Sequence, residues 1–347
     1  MLLVKILIVK LGSIGDVIHT LPSLVAIRRK FQEARISWVV EKKASEILHG
    51  NRLLDDLIII NTAGIRRLKD FSSLRSIFEL CKIKPDVALD FQGLLKSALV
   101  AKLSGAERRY GFSKNALREP ESRFLLTDLV EIPNGKIHVI RKNLLLAEKA
   151  LGVSVPEVFE FPIETDSSHQ KEAEEIISKV GENFAILNPA GGWKTKLWDA
   201  ENFGALADRL WEELGLKSVV TTAKDESFLA QRVLQNSKSR MIMLANPSLK
   251  GFYELVKRAS IYVGGDTGPT HLAIAANTPV VGIFGPTEWW RNGSFRSEDI
   301  CVERTDINCR TNCHRRVCNN WICMDISVDR VFDAVKRRLK VASRKIT

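Results

Sequence analysis

Four stretches of the sequence combine glycine, hydroxyl, acidic and basic residues in ways suited to chemistry on an anionic ligand. The first is Lys10-Leu-Gly-Ser-Ile-Gly-Asp16. Gly12 and Gly15 allow a tight loop with close ligand approach. Asp16 follows at the entrance of a helix, where an aspartate either caps the helix or projects as a general base. The spacing departs from G-x-G-x-x-G, which removes the main support for a dinucleotide oxidoreductase.

The second stretch runs from Asn188 to Trp198, N-P-A-G-G-W-K-T-K-L-W. Gly191 and Gly192 free the backbone, while Lys194 and Lys196 supply charge. Such a loop is either a flexible basic surface turn or a phosphate cradle. The third stretch is G-G-D-T-G-P-T-H-L-A, from Gly264 to Ala273. Pro269 stands where the first turn of a helix belongs. The unpaired N–H groups and the positive end of that helix suit a diphosphate near Thr267 and Gly268. The alternative is a capped helix start in which Asp266 serves structure. The fourth is T-T-A-K-D-E, Thr221 to Glu226, where an acid at a strand end either meets ribose hydroxyls or merely favours a helix start.

Elements must bring these loops together. Apolar runs at Val4–Lys10, Ile36–Val40, Leu57–Asn61 and Val87–Phe91 alternate with helical patterns at Val17–Phe31, Ala44–Gly50 and Leu94–Leu103. The theme repeats with strands at Phe184–Asn188, Ser218–Ala223, Ile242–Leu244, Ile261–Gly264 and Val280–Phe284. Helical patterns between these strands cover Ala200–Glu213, Glu226–Gln235, Gly251–Arg258 and Pro269–Ala276. Alternating apolar strands and helices imply parallel sheets covered on both faces. The spacing predicts two α/β domains, 1–165 and 166–326, facing a central cleft. A basic terminal helix follows in 327–347.

The length of 347 residues fits two domains. Hydrophobic residues at 45% and charged residues at 27% exclude a disordered or disulfide-stapled chain. The net charge of +11 implies an anionic partner. Residues 1–165 hold 26 basic against 19 acidic residues, and 166–347 hold 26 against 22, so the surplus leans to the first half. The basic residues are dispersed and form no nucleic-acid motif, so no nucleic acid is expected. The N-terminus reads as a buried strand rather than a signal peptide, which places the chain in the cytoplasm. Cys309, Cys313, Cys318 and Cys323 cluster late with His314. They read as a zinc set or as partly buried thiols; without a C-x-x-C knuckle, no metal is expected.

Taken jointly, the motifs resemble glycosyltransferase family 9, the ADP-heptose:lipopolysaccharide heptosyltransferases. They are S-I-G-D-V-I-H-T-L-P from Ser13, K-x-W at Lys196 followed by E-x-F at Glu201, and G-D-T-G-P-T-H-L-A with G-I-F-G-P-T from Gly265 to Thr287. Cys313, Cys318 and Cys323-Met324 look like a cysteine-rich tail of that family. The resemblance spans Lys5 to about Val331. Ile65–Lys69, Asp90–Ala98, Leu117–Pro120 and His138–Arg141 look most like its heptosyltransferase I branch.

The resemblance implies a GT-B fold, α/β with two Rossmann-like doubly wound domains, the first binding acceptor and the second donor, and a terminal helix in 327–347 that packs back toward the first domain. It implies an inverting, metal-independent transfer of heptose from ADP-L-glycero-D-manno-heptose to Kdo of Kdo–lipid A at the cytoplasmic face of the inner membrane. By that likeness Asp16 is the base and Lys196 steadies the ADP leaving group. Gly191, Gly192, Glu226, Asp266, Thr267, Gly268 and His271 line the donor. Arg66, Arg67, Lys69, Arg118 and Arg141 are candidates for the anionic acceptor, since Arg forks match carboxylate and phosphate. No Asp-x-Asp pair occurs to hold a divalent ion on the diphosphate, so no cofactor is required. A sister transferase with another sugar or acceptor is the alternative.

Overall fold

Ile6, Leu7, Ile8 and Val9 are all buried, and this run forms β1 (Lys5–Val9). A strand covered on both faces carries a continuous apolar sequence rather than an alternating one. It pairs in parallel with β2 (Arg35–Glu41) on one side and β4 (Val87–Asp90) on the other. With β3 (Asp56–Ile60), β5 (Arg108–Phe112) and β6 (Asp128–Val130) the sheet order is β3-β2-β1-β4-β5-β6. The computed structural model describes residues 4–61, 79–309, 313 and 316–343. The chain divides into two units, Met1–Glu164 and Thr165–Thr347.

The second unit repeats the plan. β7 (Phe184–Asn188), β8 (Lys217–Thr221), β9 (Ile242–Ala245), β10 (Ile261–Gly264), β11 (Val280–Phe284) and β12 (Ile300–Glu303) form a sheet ordered β12-β11-β10-β7-β8-β9. All its ladders are parallel. Both sheets are doubly wound, and the strand order reverses beside the first strand of each. In such sheets ligands bind outside the carboxyl ends of the strands at that reversal. The two Rossmann-like domains expected of a GT-B fold are therefore present.

The helix expected over Val17–Phe31 is two helices, α1 (Ile14–Ile18) and α2 (Leu21–Lys30). The break falls at His19–Thr20, just before Pro22, whose missing N–H suits the start of a helix rather than its interior. α3 (Lys42–Ser45) and α4 (Leu95–Leu103) follow. α5 (Val139–Leu151) packs against α2. The second unit opens with α6 (Ser167–Val180), capped by the Asp166 carboxylate on the Ser168 and His169 N–H groups. α7 (Ala200–Leu214), α8 (Ser227–Gln235), α9 (Leu249–Arg258), α10 (Gly268–Ala275), α11 (Trp289–Asn292) and α12 (Val328–Ser343) follow. The apolar face of α12 enters the second unit's own core. Val331, Phe332, Ala334 and Val335 are buried there with Phe203 of α7 and Val302 of β12. Trp198 anchors that core through a bond from its indole N–H to the Ile326 carbonyl at 2.8 Å.

Candidate active site

Asp16 lies in the first turn of α1, which starts at Ile14. Its Oδ2 accepts the Ser13 N–H at 3.0 Å, so the carboxylate ties down a helix-end donor without being the cap residue itself. Its side chain is 37% exposed, leaving a face open to a ligand, while Lys10 Nζ stands 3.8 Å from Oδ1. Lys10 follows β1 directly and is buried. Its ammonium donates to the Phe91 carbonyl at 2.8 Å, across the strand reversal. Beyond β4, Gln92 Oε1 accepts the N–H groups of Leu11 and Gly12 at 3.2 and 3.3 Å, fixing the glycine loop.

Asp90 ends β4 and is fully buried. Its carboxylate accepts Gln92 N–H, Gly93 N–H and the Ser97 hydroxyl at 2.9, 3.1 and 3.0 Å. Burial pushes its pKa up to about 6, against the pull of these donors and of the Lys10 charge.

In the second unit the loop after β7 turns through Gly191 and Gly192 into a short 3₁₀ helix, Lys194–Lys196. A side chain at Gly191 would press Leu197 at 2.9 Å, whereas Gly192 faces open space. Lys196 Nζ meets Asp266 Oδ2 at 2.6 Å and the Asp266 carbonyl at 3.2 Å. It also sits over the Trp193 ring, 4.5 Å from the centroid. Asp266 follows β10, so this contact too spans the strand reversal.

His271 Nε2 reaches Asp266 Oδ1 at 3.3 Å, and Asn292 Nδ2 approaches Oδ2 at 3.5 Å. Burial by itself would raise the Asp266 pKa. The His271 hydrogen bond and the Lys196 charge hold it well below the usual carboxylate range. Asp266 is therefore a fixed anion that orients a cation and an imidazole.

Thr267 caps α10, with Gly268 and Pro269 opening its first turn. The Thr270 hydroxyl donates to the Gly265 carbonyl and lies 3.0 Å from the buried Tyr262 hydroxyl. This fixes the helix entrance beside Asp266. Glu226 closes a 3₁₀ turn, Lys224–Glu226, just before α8. Burial, then Asp225, raises its pKa. A groove of about 480 Å³ opens at the carboxyl ends of β8 and β9, lined in part by Thr222, Lys224, Leu244 and Asn246.

Lys196, Asp266 and His271 are thus in direct contact, with Thr267 and Gly268 adjoining. Glu226 occupies a neighbouring strand end, and Asp16 belongs to the first unit. Arg118 is exposed. Arg141 is exposed as well, with its guanidinium over Phe159 and a 3.4 Å contact to the Pro156 carbonyl. Arg66, Arg67 and Lys69 lie outside the described residues. Cys309, Cys313, Cys318 and Cys323 line one small cavity of about 20 Å³ with Thr195, Pro286 and Trp321. Trp321 ties that segment to the lysine loop by donating its indole N–H to the Thr195 carbonyl at 3.0 Å.

Sequence reasoning missed the supporting partners. Asn292 and Asp90 carry no local signal. Lys10 offered one, a lysine inside an apolar run directly before a glycine loop.

A family model, glycosyltransferase family 9 (heptosyltransferase), matches residues 74–321. Lipopolysaccharide heptosyltransferase 1 of Pseudomonas aeruginosa is 26% identical over 320 residues, covering 90% of this chain and 87% of that relative. Lipooligosaccharide heptosyltransferase 2 of Campylobacter jejuni is 24% identical over 343 residues, covering 94% and 96%. Among solved structures, a family 9 glycosyl transferase from Veillonella parvula superposes with a TM-score of 0.81 at 22% identity over 98% of both chains. E. coli heptosyltransferase WaaC with ADP gives a TM-score of 0.71 at 22% identity, again over 98% of both. A match across this much of the chain places it in glycosyltransferase family 9, the heptosyltransferase family, and makes it a glycosyltransferase.

Proposed function

We propose that this enzyme transfers heptose from ADP-L-glycero-D-manno-heptose to a Kdo residue of Kdo–lipid A, with inversion at the anomeric carbon. The observation that carries the donor half is the Lys196–Asp266–His271 contact beside the start of α10. A largely enclosed cation held by an ionised partner, next to a helix N-terminus, matches a diphosphate. The groove at β8 and β9 accommodates the adenosine, with Glu226 on the ribose hydroxyls. Gly191 and Gly192 let the backbone approach the phosphates.

In the reaction the acceptor hydroxyl oxygen bonds to the anomeric carbon as the bond from that carbon to the ADP oxygen breaks. Asp16 takes the hydroxyl proton. Lys196 and the α10 N-terminus meet the negative charge that develops on ADP, and we assign the charge neutralisation to these groups rather than to a divalent ion.

Arg118 and Arg141, with Arg66, Arg67 and Lys69, are assigned to the anionic acceptor. Among the described residues no helix is long and apolar enough to cross a membrane. We place the enzyme peripherally on the cytoplasmic face of the inner membrane. α12 supports this by lining a surface groove of about 750 Å³ with Arg330, Lys336, Arg337 and Lys340 against Asp333 and Glu303, a net basic surface attractive to anionic lipid.

The test is one assay with purified enzyme, ADP-heptose, and Kdo–lipid A or lipid A without Kdo, in EDTA, following ADP release and product mass. Product is expected only with Kdo, and its acceptor KM should rise with salt. No product with either acceptor, or dependence on a divalent ion, would overturn the reading. A second reading is heptose transfer to an already heptosylated acceptor. The long match to the Campylobacter jejuni heptosyltransferase 2 favours it, and such an acceptor belongs in the same assay.

A further inference from the structure

We propose that Lys10 is a positioning residue for the Asp16 carboxylate, an assignment that rests on the reading of Asp16 as the base. A lysine ammonium is rarely buried without a partner, because desolvating it is costly. Lys10 is 3% exposed. Its ammonium makes one direct bond, to the Phe91 carbonyl at 2.8 Å, and faces Asp16 Oδ1 at 3.8 Å. If its role were only to staple β1 to the end of β4, an apolar residue would fill the position without burying a charge.

The geometry gives the charge a second task. Ser13 N–H holds Oδ2 at 3.0 Å, and the Lys10 ammonium attracts Oδ1. The two carboxylate oxygens are thereby addressed by different groups, one from the helix end and one from beneath the loop. Rotation of the carboxylate is restrained, while more than a third of the side chain stays open to the acceptor. The looser 3.8 Å contact leaves Oδ1 available to the acceptor hydroxyl, which a short ion pair would occupy. The buried Asp90 carboxylate ends β4, one residue before the Phe91 carbonyl that the Lys10 ammonium bonds.

The test compares Lys10→Met, close in volume and uncharged, with Lys10→Arg. Lys10→Met should lower kcat on the order of 10²-fold, the size of effect that loss of aim at a reacting group produces. The KM values and ADP affinity should stay within about twofold by the same argument, since binding is untouched. Lys10→Arg should recover part of the lost kcat. In an Asp16→Glu background, Lys10→Met should cost little more, because partners acting through one group are not additive.

If Lys10→Met folds poorly, Lys10→Met/Asp90→Asn removes both buried charges and carries the same comparison. Wild-type kcat in the Met variants, equal losses in kcat and ADP affinity, or full additivity with Asp16→Glu would each overturn the proposal. Failure of the base reading is distinguishable, because it would show as transfer surviving in Asp16→Asn.

Discussion

Both units set a lysine beyond their first strand and bond it to the segment after their fourth, yet they treat the neighbouring aspartate differently. Lys10 stands 3.8 Å from a partly exposed Asp16 and bonds a carbonyl instead. Lys196 closes to 2.6 Å on a buried Asp266, which His271 also holds. The same doubly wound order thus builds one carboxylate that is loosely held and partly open and one that is buried and closely paired. A base needs the first condition and a fixed receptor for phosphate charge needs the second.

That contrast can be broken most severely at Asp266. Asp266→Asn leaves Lys196 buried without its counter-ion, and breaking such a pair costs about 3–5 kcal/mol. Thermal melting should show the loss at neutral pH. The sign follows from the lowered pKa. Asp266 adds stability above the ordinary aspartate range near pH 4, and that share disappears as the pH falls through its depressed folded value. The wild type should therefore lose its advantage over the variant in acid. An unchanged melting temperature would mean that Asp266 is not a fixed anion.

Removing Lys196 is next in size. Lys196→Ala should cost on the order of 3 kcal/mol in kcat and weaken ADP binding as well, since the charge it meets is present in both states. Calorimetric titration with ADP beside steady-state kinetics checks this; unchanged values of both quantities would exclude Lys196 from the donor site.

Asp90 sharpens the comparison from the other side, as a buried carboxylate with no direct ion pair among the described residues. Its pKa of about 6 lies above the unfolded value near 4, so the folded state binds the proton more tightly. Asp90 therefore contributes most at low pH, and stability falls as the pH rises between those values. Two units correspond to roughly 3 kcal/mol at most. Asp90→Asn keeps the Oδ1 acceptor and should flatten this slope between pH 4 and 6 in urea unfolding. An unaltered slope would exclude Asp90 as its source.

The frame of this site was legible because buried parallel strands write themselves as apolar runs. β1, β7, β10 and β11 each end in a glycine- or proline-bearing loop, so the strand ends and their ligand-facing turns were visible together. β5, β6 and β12 were not. β5 begins with Arg108 and Arg109, whose charges mask a strand lying between β4 and β6, and Arg108 finds Asp128 of β6 at 2.7 Å only once the sheet forms. Asp16, Lys196, Asp266 and His271 stood out by residue type and position. What joins the last three did not, because Lys196 and Asp266 lie 70 residues apart and meet only across the reversal of strand order. Asp90 was invisible as a titrating group for the same reason: its shift comes from burial, which one sequence does not display.

The division of labour between the units is tested most directly by Asp16→Asn, measured for heptose transfer and for ADP binding on the same preparation. Transfer should fall about 10²–10⁴-fold, the worth of a positioned base, with the ADP dissociation constant unchanged. Transfer near the wild-type rate, or a loss matched by weakened ADP binding, would contradict the account.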